Sequence, residues 1–261
     1  MVHSARRWQV WAINTVSQVK CCEICKKGLK TIGWATGFFY QHAEGSYLVT
    51  NKHVVIDEKN DFFPDQLLLR LHTSKANLLQ NEDYMISLYN KDGSQVWLEH
   101  PNKNNKIDVV AIPLNYDEIS KKFWTSAFSI ERHLPPDAEV AIGEDLLVLG
   151  YPLGVHDTVN NLPIIRNATA ASLYSRPFEE NPCILIDARL HSGSSGSPVL
   201  TKPDTLRIIN GEWVMQASPD PFLVGIYSGT IPKRDPEIDD HLGLGVVWLA
   251  HLIPEIIQNI D

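Results

Sequence analysis

Long apolar runs are missing from this chain, and so is any excess of positive charge. No window approaches the ~18 consecutive apolar residues of a membrane-spanning helix. Lysine and arginine number 23 against 31 aspartates and glutamates, a formal net charge of −8. An acidic surface repels phosphate backbones and anionic lipid, so neither nucleic acid nor membrane is expected as a partner. The N-terminus, "MVHSARRWQVWAINTVSQVK", has no long apolar core followed by a small-residue cleavage site. It does not read as a secretory signal, and a cytoplasmic location is expected. Cysteine is scarce: Cys21, Cys22, Cys25 and Cys183. The first three are too crowded for a disulfide framework. "CCEICKK" contains C-x-x-C, but a structural zinc site needs four ligands. Cys183 stands alone and no histidine is near the cluster in sequence. Reduced thiols in a loop are expected, with no metal and no other cofactor.

Helical periodicity is also in short supply, and there is no internal repeat. Short apolar runs bounded by turn residues dominate. "GWATGFFYQ" (33–41) and "SYLVTN" (46–51) flank "HAEG", a hairpin connection. "DQLLLRLHT" (65–73), "DYMISLYN" (83–90), "SQVWLEH" (94–100) and "DVVAIPL" (108–114) follow, with "KDG" as a tight-turn signal before the third. Residues 115–142 lose the period, carry a Pro-Pro pair and read as a linker with a helical turn. Strand-like runs resume at 145–152, 164–175, 183–190, 197–201, 222–229 and 244–249. Only "LAHLIPEIIQNI" reads as helix, with Ile253, Ile256, Ile257 and Ile260 at helical spacing. The expectation is one all-β domain over 1–261. It comprises two six-stranded antiparallel barrels (about 10–114 and 143–250), the linker 115–142 and a C-terminal helix at 251–261.

Three stretches carry residue types suited to nucleophilic catalysis. "HSGSSGSPVL" (191–200) sets a Ser-Ser pair between Gly193 and Gly196. A serine hydroxyl is a poor nucleophile unless a base and oxyanion donors are beside it, and glycine lets backbone N–H groups converge on one point. "YLVTNKHVV" (47–55) places His53 just past an apolar strand, and "NKIDVVAIPL" (105–114) places Asp108 at the mouth of another. Taken singly, each stretch also suits a plain surface loop, a half-buried histidine and a strand-initiating turn.

Together, in the order His, Asp, Ser, the stretches resemble the signature blocks of trypsin-like serine proteases. The resemblance is to the bacterial branch, the glutamyl-endopeptidase (V8-like) group and the protease domain of the HtrA group. "TNKHVV", "GSSGSPV", "LLVLGYPLG" (146–154), "LIDARLHSGSSGSPV" (185–199), "LVGIYSG" (223–229) and "GLGVVWLAHLIPEII" (243–257) carry it, across roughly residues 30–258. It implies a chymotrypsin-like fold and a serine endopeptidase acting on protein or peptide. Ser195 would be the nucleophile, His53 the general base and Asp108 its orienting partner. The N–H groups of Gly193 and Ser195 would form the oxyanion hole. Tyr227, Ser228 and Gly229 would pair with substrate by strand addition.

The chain also departs from these relatives. Ser194 stands where many trypsin-like enzymes have aspartate, so activation by N-terminal cleavage is not expected. No PDZ-sized segment follows, so an HtrA-style regulated oligomer is not expected, and the oligomeric state is left open. Tyr227 and Leu190 replace the histidine and threonine that read glutamate in the V8-like group. Arg189 falls where the fold places the pocket floor and would favour acidic P1 residues if it points inward. Three other readings stand beside the protease: a catalytically silent peptide-binding module, an α/β-hydrolase, and a zinc-ligating module on Cys21, Cys22 and Cys25 that could coexist with a protease. The second is disfavoured because G-x-S-x-G lacks its last glycine at Ser197 and alternating helices are missing.

Overall fold

A computed structural model describes residues 7–43, 45–102, 106–135, 137–204, 206–209, 212–215, 220–231 and 242–258. The first unit is a seven-stranded antiparallel sheet. Its strands are β1 (Val16–Cys25), β2 (Gly28–His42), β3 (Gly45–Thr50), β4 (Gln66–His72), β5 (Asn81–Ser87), β6 (Leu98–Glu99) and β7 (Val110–Leu114). They lie in the order β5-β4-β1-β2-β3-β7-β6. β1 is the strand that the sequence did not announce. Its burial does not alternate: Val19 and Cys21 enter the interior of this unit, while Val16 packs between the two units. A strand buried on both faces loses the period-2 signature. The cysteine cluster is therefore corrected from loop to strand, with Cys21 and Cys22 buried and Cys25 exposed at the hairpin end. All four thiols are free, and burial pushes Cys21 up to about 12. The expected strand at 94–100 shrinks to the two residues of β6.

The second unit closes into a six-stranded barrel, as expected. Its strands are β8 (Asp145–Gly150), β9 (Ile164–Ala170), β10 (Cys183–Asp187), β11 (Pro198–Thr201), β14 (Leu223–Thr230) and β15 (Leu244–Leu249). They run in the order β10-β15-β14-β11-β8-β9. A separate hairpin, β12 (Leu206–Ile209) with β13 (Glu212–Met215), is an addition. Among the described residues there are four short α-helices: α1 (Arg7–Ile13), α2 (Lys52–Val55), α3 (Tyr116–Lys122) and α4 (Leu252–Gln258). α3 lies in the expected linker, where the Asn115 side chain caps it by accepting from the Glu118 N–H at 3.3 Å. In α4, Ile253, Ile256 and Ile257 are buried as their spacing predicts, and Ile260 lies outside the described residues.

Three apolar cores hold this arrangement. Leu48, Leu67, Leu69 and Ile112 fill the first unit, and Leu146, Ile184, Val199 and Val224 fill the second. The third core lies between them, where Phe38, Tyr40 and Phe128 meet Leu149, Leu200, Ile226 and α4. Burying each large side chain contributes about 1.5–3 kcal/mol, so the seam is a continuous apolar interface and not a loose hinge. Among the described residues no helix is long and apolar enough to cross a membrane.

Candidate active site

His53 is set by a single helical turn. β3 delivers the chain to Asn51, α2 follows, and Val54 and Val55 bury themselves in the first core. Those anchors leave half-buried His53 on the other side of the turn, facing the seam. Asp108 sits two residues before β7 and grips the same turn twice. One carboxylate oxygen accepts from the His53 backbone N–H at 2.9 Å, and the other meets His53 Nδ1 at 2.6 Å. Asn51 Nδ2 donates to the Asp108 carbonyl at 2.6 Å, fixing that backbone as well. Burial disfavours the imidazolium, but the hydrogen bond and charge of Asp108, with Asp57 further off, outweigh it and raise the His53 pKa above 6.5. Nδ1–H donates to the carboxylate, which leaves Nε2 available as a base.

The second unit contributes a residue whose side-chain role the sequence did not suggest. Ser228 lies at a bulge in β14, where Tyr227 pairs with Val247 and Gly229 with Val246 and Ser228 is skipped. A bulge re-aims a side chain. The Ser228 Oγ donates to Asp108 at 2.5 Å, while its carbonyl accepts from Ser195 Oγ at 3.0 Å. Ser228 thus touches both Asp108 and Ser195. Only a small polar residue within "IYSG" marked it, and its partner is 120 positions away. Among the described residues no hydrogen bond joins the Ser195 hydroxyl to His53; Ser195 is turned toward Ser228 instead.

The turn that carries Ser195 depends on its two glycines. Gly193 has φ +89° and Gly196 φ +84°, a region L side chains rarely adopt. A Cβ on Gly196 would lie 2.0 Å from the Thr36 carbonyl oxygen, and one on Gly193 would lie 2.5 Å from that of Tyr151. The N–H groups of Gly193 and Ser195 have no acceptor among the described residues. Beside the turn is a cavity of about 820 Å³, lined by Arg189, Leu190, Ser192, Tyr227 and Gly229 among others. Leu190 and Tyr227 are buried, whereas Arg189 is exposed at the cavity wall. A Cβ on Gly229 would meet nothing within 4 Å, so the surface there is open.

Among the described residues no group of three or more His, Cys, Asp or Glu side chains could hold a metal ion. The arrangement offers a hydroxyl, an imidazole whose Nδ1 is engaged by Asp108, and two N–H groups without a backbone acceptor among the described residues.

Comparison with known proteins bears on the fold and the family. No curated protein matches. Among solved structures, the chain is similar to the crystal structure of Rv3671c from M. tuberculosis H37Rv, a serine-to-alanine mutant in its inactive form. Identity is 14% and the TM-score 0.51, over 99% of this chain and 92% of that one. That likeness speaks for the fold, which is chymotrypsin-like. The family described as "Trypsin-like peptidase domain" matches residues 35–206, a span that takes in His53, Asp108 and Ser195. The match covers well over half of the chain and crosses from one unit into the other: the chain belongs to the trypsin-like peptidase family.

Proposed function

We propose that this protein is a serine endopeptidase working through His53, Asp108 and Ser195. The observation that carries the reading is the chain of contacts across the seam: His53 Nδ1 on Asp108, Ser228 on Asp108, and Ser195 on Ser228. Ser195 Oγ rotates from the Ser228 carbonyl toward Nε2, gives up its proton there and attacks the scissile carbonyl. The oxygen that becomes negative is taken by the Gly193 and Ser195 N–H groups; losing one such donor typically costs about 2.7–4 kcal/mol. His53, now protonated and stabilised by Asp108, gives the proton to the leaving amine, and water then hydrolyses the acyl-enzyme with the same base. The substrate backbone adds as a strand along Tyr227–Gly229, whose outer edge is open at Gly229. The P1 side chain enters the cavity, where the Arg189 guanidinium favours an acidic residue.

A second reading, a silent peptide-binding module, draws on one observation: the Ser195 hydroxyl faces Ser228 and not His53. A fluorophosphonate probe separates the two. The wild type should be labelled and Ser195→Ala should not. Labelling that survives the substitution, or none in the wild type, rejects Ser195 as the nucleophile. A P1 peptide library with no acidic preference would remove the role of Arg189 and leave the chemistry standing.

A further inference from the structure

A turn that presents two N–H groups to one oxygen has to be kept from relaxing, because free donors are satisfied by rotating a peptide plane toward any carbonyl nearby. In this turn all four consecutive carbonyls are held. Ser192 O accepts from the Leu153 N–H at 2.6 Å and Ser194 O from the Ser197 N–H at 3.0 Å. Gly193 O accepts from Thr36 Oγ1 at 2.7 Å, and Ser195 O from the Thr36 N–H at 2.8 Å. In a trans peptide, C=O and N–H point in opposite directions. Fixing the carbonyls of 192 and 194 therefore aims the N–H groups of Gly193 and Ser195 the other way. The intervening N–H groups are spent: Ser194 donates to His191 O at 3.0 Å and Gly196 to Tyr227 O at 2.9 Å.

Two of those four anchors come from one residue of the other unit. Thr36 lies in β2, is fully buried and makes no contact with a reacting atom. Its hydroxyl, whose proton goes to Gly193 O, also accepts from the Tyr151 N–H at 3.1 Å, just past the end of β8. Its own carbonyl accepts from Thr50 Oγ1 at 2.8 Å, one residue ahead of the turn that carries His53. We infer that Thr36 is a positioning residue for the oxyanion hole: it clamps the Gly193 and Ser195 carbonyls from across the seam. It thereby fixes the 193–194 peptide plane, which lies between the two planes that carry the hole's N–H groups, and the 195–196 plane that follows them. Docking of the two units and assembly of the hole are then one event. The inference rests on the protease reading proposed above.

The test uses the full chain and the rate of fluorophosphonate labelling, since the probe's P=O oxygen has to occupy the hole. Thr36→Val keeps shape and backbone N–H but deletes the hydroxyl, leaving Gly193 O free to turn. Labelling should slow by about 10- to 100-fold, less than the full loss of a donor because Thr36 acts through the loop. Thr36→Ser should restore the rate to within about 3-fold of wild type. On a peptide taken from the protein's own cleavage sites, kcat should fall in Thr36→Val while KM holds. Should Thr36→Val fail to fold, Thr36→Cys, of similar volume and weaker donor strength, should fall between Ser and wild-type behaviour on one side and loss of labelling on the other. Equal labelling of wild type and a folded Thr36→Val, or a folded Thr36→Ser that is not rescued, overturns the inference. A wild type that takes up no probe fails at the earlier step, the nucleophile itself.

Discussion

At the scale of single residues, His53 has to be neutral to accept a proton and cationic to give it back. Burial works against the cation, and Asp108 more than offsets it, so the His53 pKa lies above the free value of 6.5. The working base is then absent in mild acid. With a constant substrate, kcat/KM should rise with pH through a midpoint above 6.5, and Asp108→Asn should bring the midpoint down while cutting the rate by roughly 10⁴-fold. A midpoint that does not respond to Asp108→Asn would reject Asp108 as the cause. The stability sign is the opposite of the activity sign. A raised histidine pKa stabilises the fold fully below 6.5, and that contribution is lost as pH rises through the folded value. His53, Asp108 and Ser195 were legible because each sits in a stretch with its own turn chemistry and flanking apolar run. Ser228 and Thr36 were not. A serine in a strand and a threonine before a glycine say nothing until the fold brings partners 120 and 157 positions away against them.

Among the elements, α4 does more than close the chain. It follows the second barrel but packs back against β6 and β7 of the first unit, and Asp108 lies two residues before β7. Two kinds of contact hold it. His100 Nε2 and the Glu255 carboxylate share a hydrogen bond at 2.9 Å, with Glu255 half exposed. Ile253, Ile256 and Ile257 enter the core between the units. Exposed pairs are worth about 0–1 kcal/mol, whereas truncating a buried isoleucine costs about 2–5 kcal/mol. Burial should therefore decide. Ile253→Ala should lower the urea-unfolding free energy by at least ~2 kcal/mol and Glu255→Gln by under ~1 kcal/mol. The reverse ranking would mean that the helix is held by charge. The helix itself was readable, because three buried isoleucines at 3–4 spacing leave a periodic mark. β1 was not, because a strand sandwiched between two cores carries no alternation, and the β12–β13 hairpin lies outside both the seven-stranded sheet and the closed barrel.

For the whole molecule, the candidate site and the seam between the units are the same place. The first unit supplies His53, Asp108 and Thr36; the second supplies Ser195 and Ser228. Anything that opens the seam separates His53 and Asp108 from Ser195 and Ser228. His133 sits in the connecting segment and touches both sides. Its Nε2 shares a 2.9 Å hydrogen bond with the Tyr40 hydroxyl of β2, and its backbone bridges to Leu223 of β14. Burial, then the neighbouring His251, lower its pKa from 6.5 to about 4, with Glu131 pulling weakly the other way. The folded protein thus holds a neutral imidazole where the unfolded chain would take a proton at 6.5. Stability is undiminished above 6.5 and drains away as pH falls toward about 4, a loss of at most ~3 kcal/mol. The direction opposes that of His53, so the two groups can be told apart by substitution. His133→Gln keeps a hydrogen-bonding partner for Tyr40 and removes the titration. Urea-unfolding free energies measured from pH 7.5 to 4.5 should fall more steeply for the wild type than for His133→Gln. Curves that run parallel for the two proteins would show that acid acts elsewhere than at the seam.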